Sequence, residues 1–468
     1  MQVTAVLALV LSAAAGAGAP PTFRVDFFHT GSASEERFAL DRLVVEPLPW
    51  PGNPDRPVDE TNLGKYLFEV RDRDTNRLLY SRGFASIYGE WETTAEAKDR
   101  HRTFHESLRF PRPPRPVQVV VKKRDAGNLF REAWSLAVDP EDPTVDPSRP
   151  PAPGAVIDLV ASGPPERKLD LLVLGDGYTA QERGRCEADA RRLVAALLAQ
   201  PPFRERRGDL NVRALCPAAA ESGVSRPSTG VHRASPLGAS YDAFGSERYV
   251  LTFENRRVRE VASWAPYDAL AVMVNGDTYG GGGIFNLYAT VAAGSAWAPY
   301  IFVHELGHAL AGLADEYFTS DTAYLPAADR VEPWERNVTA LKDPARLKWK
   351  ALASPGVPVP TPWREEAYAA RSKELQAERK KLRAARRPEA ELDALFALQQ
   401  REETAFFAAE RFAGKVGAFE GANYEARGFF RPQPDCIMFS RDEVPFCAVC
   451  RSALEEILDL YARPAPGR

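Results

Sequence analysis

Several things are scarce in this chain. It has five cysteines, six histidines and three methionines in 468 residues. It has no block of Lys and Arg, and its net charge is only −4, so nothing in it argues for nucleic-acid binding. After the first 19 residues no apolar run is long enough to span a bilayer. That excludes an integral membrane segment from the mature chain. Gly175-Asp176-Gly177 lacks the third glycine and the Lys-Ser/Thr pair of a phosphate loop. No Lys or Arg precedes the apolar run at the N-terminus.

That run, Val3 to Ala19, is made of apolar and small residues, with Ala15-Gly16-Ala17 as a cleavage site. It predicts a signal peptide over residues 1–19 and a secreted or periplasmic protein. Five cysteines fit an exported protein with one or two disulfides. Cys186 and Cys216 are placed to pair with each other. Cys436, Cys447 and Cys450 crowd near the C-terminus. A Cys447-x-x-Cys450 pair could bind structural zinc. That needs two more ligands, and only Cys436 is near in sequence.

The length suggests two or three domains, and 44% apolar residues suffice for large cores. Residues 20–139 predict an antiparallel β-sandwich. Phe23–Phe28, Tyr66–Asp72 and Val117–Val121 have strand patterns, and Asp74-Thr75-Asn76 turns the chain into Leu78–Tyr80. Thr94 to Leu108 suggests a short surface helix, which leaves the His101/His105 pair without metal chemistry. Residues 140–154 are a Pro-rich linker.

From residue 155 the texture becomes α/β. Leu169–Leu174 is a nearly continuous apolar run, the mark of a strand covered on both faces. Thr179 to Leu198 is a helix with a capping box, Thr179 and Glu182. Asn211–Leu215, Tyr267–Asn275 and Ile284–Ala292 are further strands, with glycines 280 to 283 before the last. A helix then follows with Pro299 in its first turn. Residues 363–412, dense in Ala, Glu, Lys, Arg and Leu and broken at Pro388, predict a solvated helical hairpin inserted into this domain.

The chemistry sits on the helix after Pro299. His304-Glu305-x-x-His308 puts two imidazoles on one helical face, able to share a metal ion. Glu305 reaches a water on that metal without being a ligand itself. With six histidines in the chain, a chance match is rare. A catalytic zinc needs a third protein ligand. Gly312 allows the helix to end in a left-handed turn, after which Asp315 can approach the metal; Glu316 beside it is the alternative.

This motif, with a glycine turn and an acidic third ligand, resembles the metzincin zinc peptidases. In those the glycine and third ligand come one residue sooner. Metzincins also place a methionine in a turn beneath the metal, and Asp435-Cys436-Ile437-Met438-Phe439-Ser440 resembles that Met-turn. Gly312-Leu313-Ala314-Asp315-Glu316-Tyr317 resembles the IgA peptidase family, peptidase family M64. So do Leu174–Tyr178, Tyr279 with Gly280–Gly283, Phe419-Glu420-Gly421, and Cys436–Met438 with Phe446-Cys447. Phe28–Gly31, Glu90–Thr94 and Leu108–Pro111 resemble that family's N-terminal domain.

The resemblance implies a metzincin-like zinc peptidase domain over 155–468, with one catalytic zinc on His304, His308 and Asp315 and with Glu305 as general base. It implies a protein or peptide substrate, cut by a zinc-bound water. It implies Met438 as the Met-turn residue, pinned by a Cys436–Cys447 disulfide. Many metzincins stabilise the oxyanion with a Tyr two residues after the Met; Ser440 stands there, leaving Tyr317 and Arg441 as candidates. Strand 284–292 resembles the metzincin edge strand, which can pair with an extended substrate. Two other readings fit the residues: an exported adhesion protein with a vestigial metal site, and a zinc amidase or deacetylase acting on cell-wall material.

Overall fold

The computed structural model describes residues 18–320, 322–325 and 330–464. The expected signal peptide falls almost wholly outside them. The N-terminal region is built of two antiparallel sheets. One orders Glu36–Pro49, Pro21–Gly31 and Arg102–Pro111; the other orders Leu78–Phe84, Tyr66–Asp72, Val117–Arg124 and Phe130–Val138. The two share one core, with Phe23, Val25 and Phe27 from the first meeting Phe68, Val70 and Val119 from the second. The expected turn at Asp74–Asn76 joins Tyr66–Asp72 to Leu78–Phe84 as a hairpin.

The surface helix expected over Thr94–Leu108 shrinks to Glu96–Asp99, and the chain then enters the strand Arg102–Pro111. Burial alternates along that strand at Phe104, Glu106, Leu108 and Phe110, a period of two that outweighs the local charge pattern. His105 sits on it, bonded to Asp41 at 3.2 Å and to Asn255 at 3.0 Å.

The Pro-rich stretch does not hang free. Asp146 N–H donates to the Leu43 carbonyl and the Asp146 carbonyl accepts from Val45 N–H, which lays the stretch along the first sheet. The chain then forms a mixed six-stranded sheet. Its order is Gly281–Ile284, Tyr288–Ala292, Ala269–Val274, Leu169–Asp176, Leu210–Leu215, Val156–Val160. The central strands are parallel and the two outer ones antiparallel. Leu169–Asp176 is buried at every residue, as its apolar run requires. The Thr179–Glu182 capping box is formed, and a short 3₁₀ turn leads into the helix Arg183–Ala199. Cys186 on that helix bonds Cys216.

Ile284–Ala292 is not one strand. It is the second half of a hairpin that turns at Asn286 (φ 54°), and the glycine run itself is the edge strand. A glycine run has poor strand propensity, so it looks like a loop. Here it serves close approach: a Cβ at Gly283 would come within 2.8 Å of His308 Cβ.

The charged segment forms the helices Glu365–Ala384 and Glu389–Ala408. They are not merely solvated. Tyr368, Leu375, Leu392, Phe396 and Phe407 turn inward, and Phe396 packs on Tyr279 with ring centroids 5.1 Å apart. The two regions also share packing. Ile87, Tyr88, Trp91 and Phe104 belong to the same core cluster as the six-stranded sheet. Ala85 N–H donates to the Phe285 carbonyl at 2.9 Å, tying the N-terminal region to the edge hairpin. Among the described residues no helix is long and apolar enough to cross a membrane.

Candidate active site

The helix Ala298–Ala311 carries His304, Glu305 and His308. It is apolar on most faces because it lies between the sheet, the edge hairpin and the C-terminal helix Ala448–Ala462. Gly312 ends it in the left-handed region (φ 56°), with its N–H on His308 O and Leu313 N–H on Gly307 O. This is the left-handed cap in which the glycine N–H closes a 5→1 bond. It returns the Leu313 carbonyl onto His308 Nδ1.

His304 Nδ1 is held in the same way, by the Ile437 carbonyl at 2.9 Å. With each Nδ1–H donating to a backbone carbonyl, both Nε2 atoms keep their lone pairs. Those atoms are 3.1 Å apart, and Asp315 Oδ1 lies 3.0 Å from His304 Nε2 and 3.3 Å from His308 Nε2. Three lone-pair atoms therefore converge, and buried Asp315 Oδ1 has no hydrogen-bond donor. Ligands about 2.0–2.2 Å from a tetrahedral zinc sit roughly 3.3–3.5 Å from one another. The donor set fits a metal ion. Asp315 Oδ2 accepts from the Tyr424 hydroxyl, which orients the carboxylate. Burial alone would raise the Asp315 carboxyl, but His308 and His304 outweigh it and hold it well below the usual range.

Glu305 is partly buried on the cleft side of the helix. Burial raises its carboxyl, and the neighbouring imidazoles of His304 and His308 pull it partly back. The cleft in front of it encloses about 730 Å³. Its walls come from the edge strand, the helical hairpin (Tyr368, Gln399) and the N-terminal region, which supplies Glu90.

Glu316 does not join the histidines. It turns the other way and lies among Cys436, Cys447 and Cys450. Tyr317 returns to the cleft, its ring 6.4 Å from that of His304 and its hydroxyl accepting from Arg248 at 3.3 Å. Arg441 also lines the cleft, but its guanidinium donates to Gln399 Oε1 and the Tyr279 hydroxyl and stacks on Phe396. Met438 is fully buried beneath the helix, against Gly307. Its carbonyl accepts from Glu316 N–H at 2.9 Å.

The expected Cys436–Cys447 disulfide is not formed. All three C-terminal thiols are free and buried. Pairing any two would strand the third beside Glu316, whereas here all three share its neighbourhood.

Two comparisons bear on this arrangement. The family description "IgA Peptidase M64" matches residues 157–458, and "Peptidase M64 N-terminus" matches residues 17–135. The chain belongs to peptidase family M64. Among curated proteins none matches it. This M64 protein is thus a peptidase of a metallopeptidase family, with protein as its substrate. Its fold comprises N-terminal antiparallel sheets and a mixed α/β region.

Sequence reasoning missed Tyr424, Arg248 and Asn337. Tyr424 sits in a tight hairpin turn (φ 66°) far from the motif, and nothing in its neighbours signals a metal. Asn337 is fully buried, accepting from Ala314 N–H and donating to the Ala314 carbonyl and to Glu316. Glu90 lay within a stretch noted only for its family likeness.

Proposed function

We propose that this M64 peptidase is a secreted or periplasmic zinc metalloendopeptidase with a metzincin-like catalytic region. The observation that carries the reading is the convergence of His304 Nε2, His308 Nε2 and Asp315 Oδ1 within 3.0–3.3 Å. These three residues would hold the zinc. Asp315 is favoured over Glu316 because it alone of the two acids faces the imidazoles. Bound there, zinc supplies Lewis-acid chemistry, polarising a peptide carbonyl and acidifying water.

The protein's own groups do the rest. Glu305 accepts the proton of the attacking water on its carboxylate and delivers it to the leaving amine. A carboxyl raised by burial suits both steps, since it binds and releases a proton more evenly than an exposed one. Tyr317 is the preferred oxyanion partner, its ring beside His304 and its hydroxyl steadied by Arg248. Arg441 is committed to Gln399 and Tyr279 and would act by bracing that wall.

Met438 and Ile437 fill the place of a Met-turn, with the Ile437 carbonyl fixing the His304 tautomer. The edge strand Gly281–Ile284 borders the cleft, and Gly281 is already paired there with the Arg248 carbonyl and Val250 N–H, so strand addition of an extended substrate would use the rest of that edge. Export is supported by the apolar N-terminal run and by the Cys186–Cys216 bridge.

Metal removal tests the reading. A chelator should abolish cleavage of an unfolded protein substrate by the purified chain, and added zinc should restore it. Cleavage indifferent to chelation, in protein shown by metal analysis to be stripped, would contradict it.

A further inference from the structure

The motif leaves Cys436, Cys447, Cys450 and Glu316 without a role. They lie behind the catalytic helix, and none of them lines the cleft. All four are 4% exposed or less. Their donor atoms lie within 4.8 Å of one another. Cys436 Sγ is 3.9 Å from Cys450 Sγ, and Glu316 Oε1 is 3.2 Å from Cys450 Sγ and 4.0 Å from Cys447 Sγ. A tetrahedral zinc with sulfur ligands near 2.3 Å and an oxygen near 2.0–2.2 Å has ligand-to-ligand edges of roughly 3.5–3.8 Å. The observed separations bracket that range.

Two of the three sulfurs meet donors that favour a thiolate. Backbone N–H groups point at the sulfurs: Met438 and Cys447 donate to Cys436, and Cys450 donates to Cys447. Cys447 is the N-cap of the helix Ala448–Ala462, where the positive end of the helix favours a negative sulfur. Glu316 is fully buried, Asn337 holds its Oε1 at 2.9 Å, and its Oε2 has no hydrogen-bond partner. A disulfide explains none of this, because it would use two sulfurs and leave a thiol and a dry carboxyl behind.

We propose that Glu316, Cys436, Cys447 and Cys450 bind a second zinc ion, with a structural role. Four protein ligands and burial away from the cleft leave no open position for substrate, which is the mark of a structural rather than a catalytic site. The ion would join three segments. Glu316 follows Asp315 on the loop after the catalytic helix. Cys436 begins the turn whose Ile437 carbonyl holds His304. Cys447 and Cys450 open the C-terminal helix. The adjacent acids would then divide their work, with Asp315 facing the catalytic metal and Glu316 the structural one.

The test is metal analysis with X-ray absorption on the full chain, produced with zinc as the only added metal. Wild type should carry two zinc ions per chain, and His304→Ala/His308→Ala should retain one. The zinc edge of that double variant should show a sulfur-rich shell near 2.3 Å. Cys450→Ser in the same background should lose that shell. Should either variant fail to fold, the wild-type spectrum decides, since a sulfur shell averaged with nitrogen and oxygen is expected there. Zinc with only nitrogen and oxygen ligands in wild type would overturn the proposal. So would a zinc-free but folded double variant, or a disulfide among Cys436, Cys447 and Cys450 in unreduced peptide maps. Cleavage retained by the double variant with the sulfur shell intact would count against the catalytic reading alone.

Discussion

Asn337→Ala removes an amide that holds the loop carrying Asp315. The side chain is fully buried. Its Oδ1 accepts from Ala314 N–H at 2.8 Å, and its Nδ2 donates to the Ala314 carbonyl and to Glu316 Oε1, both at 2.9 Å. Alanine leaves the Ala314 N–H and carbonyl both unpaired at the edge of a small dry gap. Each orphaned buried group costs about 1–3 kcal/mol, and with the gap the loss comes to about 3–5 kcal/mol. Glu316 keeps its Cys450 contact, so it adds less. Because Ala314 directly precedes Asp315, zinc affinity should also fall, by about 10–100-fold, the usual effect of removing a partner behind a metal ligand. Urea denaturation followed by tryptophan fluorescence reads the first effect, and chelator competition the second. Asn337→Asp is the sharper probe. It keeps an acceptor for Ala314 N–H but turns two donors into an acceptor facing a carbonyl and a carboxylate, so it should be no better than alanine. An Asn337→Ala protein within about 0.5 kcal/mol of wild type, with unchanged zinc affinity, would refute the reasoning, since surface changes away from such features do no more.

Tyr424→Phe should weaken zinc binding by about 10–100-fold and cost about 1–3 kcal/mol of stability, because it takes the hydroxyl donor from buried Asp315 Oδ2; chelator competition alongside a thermal melt checks both halves. The N-terminal region should show a two-sided pH dependence. His29 Nδ1 meets Glu106 and its Nε2 meets Glu36, each at 3.1 Å. Burial alone would raise Glu36, but His29 and Lys123 hold it down at about 2. Its contribution is therefore present above its ordinary value and lost as pH falls toward 2. Burial works against the charged form of His29, yet Glu106 and Glu36 raise it. Its contribution is present below its ordinary value and lost as pH rises through the folded one. Thermal melts across pH should flatten on the acid side in Glu36→Gln and on the alkaline side in His29→Gln; unchanged limbs would contradict the pairing.

The catalytic helix was legible because its information is local. Two histidines four apart on an apolar helix, followed by a glycine, are enough to place two imidazoles and a reversal of the chain. The capping box at Thr179 and the apolar run Leu169–Leu174 were legible for the same reason. What failed depends on partners distant in sequence. Gly281–Ile284 is a strand because the catalytic helix must approach it closely, and no neighbour in sequence says so. Glu316 and Asp315 are chemically alike and adjacent, and only the cysteines 120 and more residues away separate their surroundings. The same distance hid the fourth donor beside Cys447-x-x-Cys450, so the sulfur-rich cluster looked like a disulfide with a spare thiol. The hairpin Glu365–Ala408 looked solvated because its inward aromatics are few among many charges. They sit at helical spacing, and one of them, Tyr368, lines the cleft.

The central claim is that Glu305 moves the proton in a metal-dependent cleavage. It is tested most directly by comparing wild type and Glu305→Gln, each zinc-loaded to the same measured content, on one quenched-fluorescent peptide library. The account predicts equal zinc, equal melting temperature and cleavage lower by about 10²–10⁴-fold in the variant, the range a positioned general base contributes. A zinc-loaded Glu305→Gln protein that cleaves at the wild-type rate would contradict it.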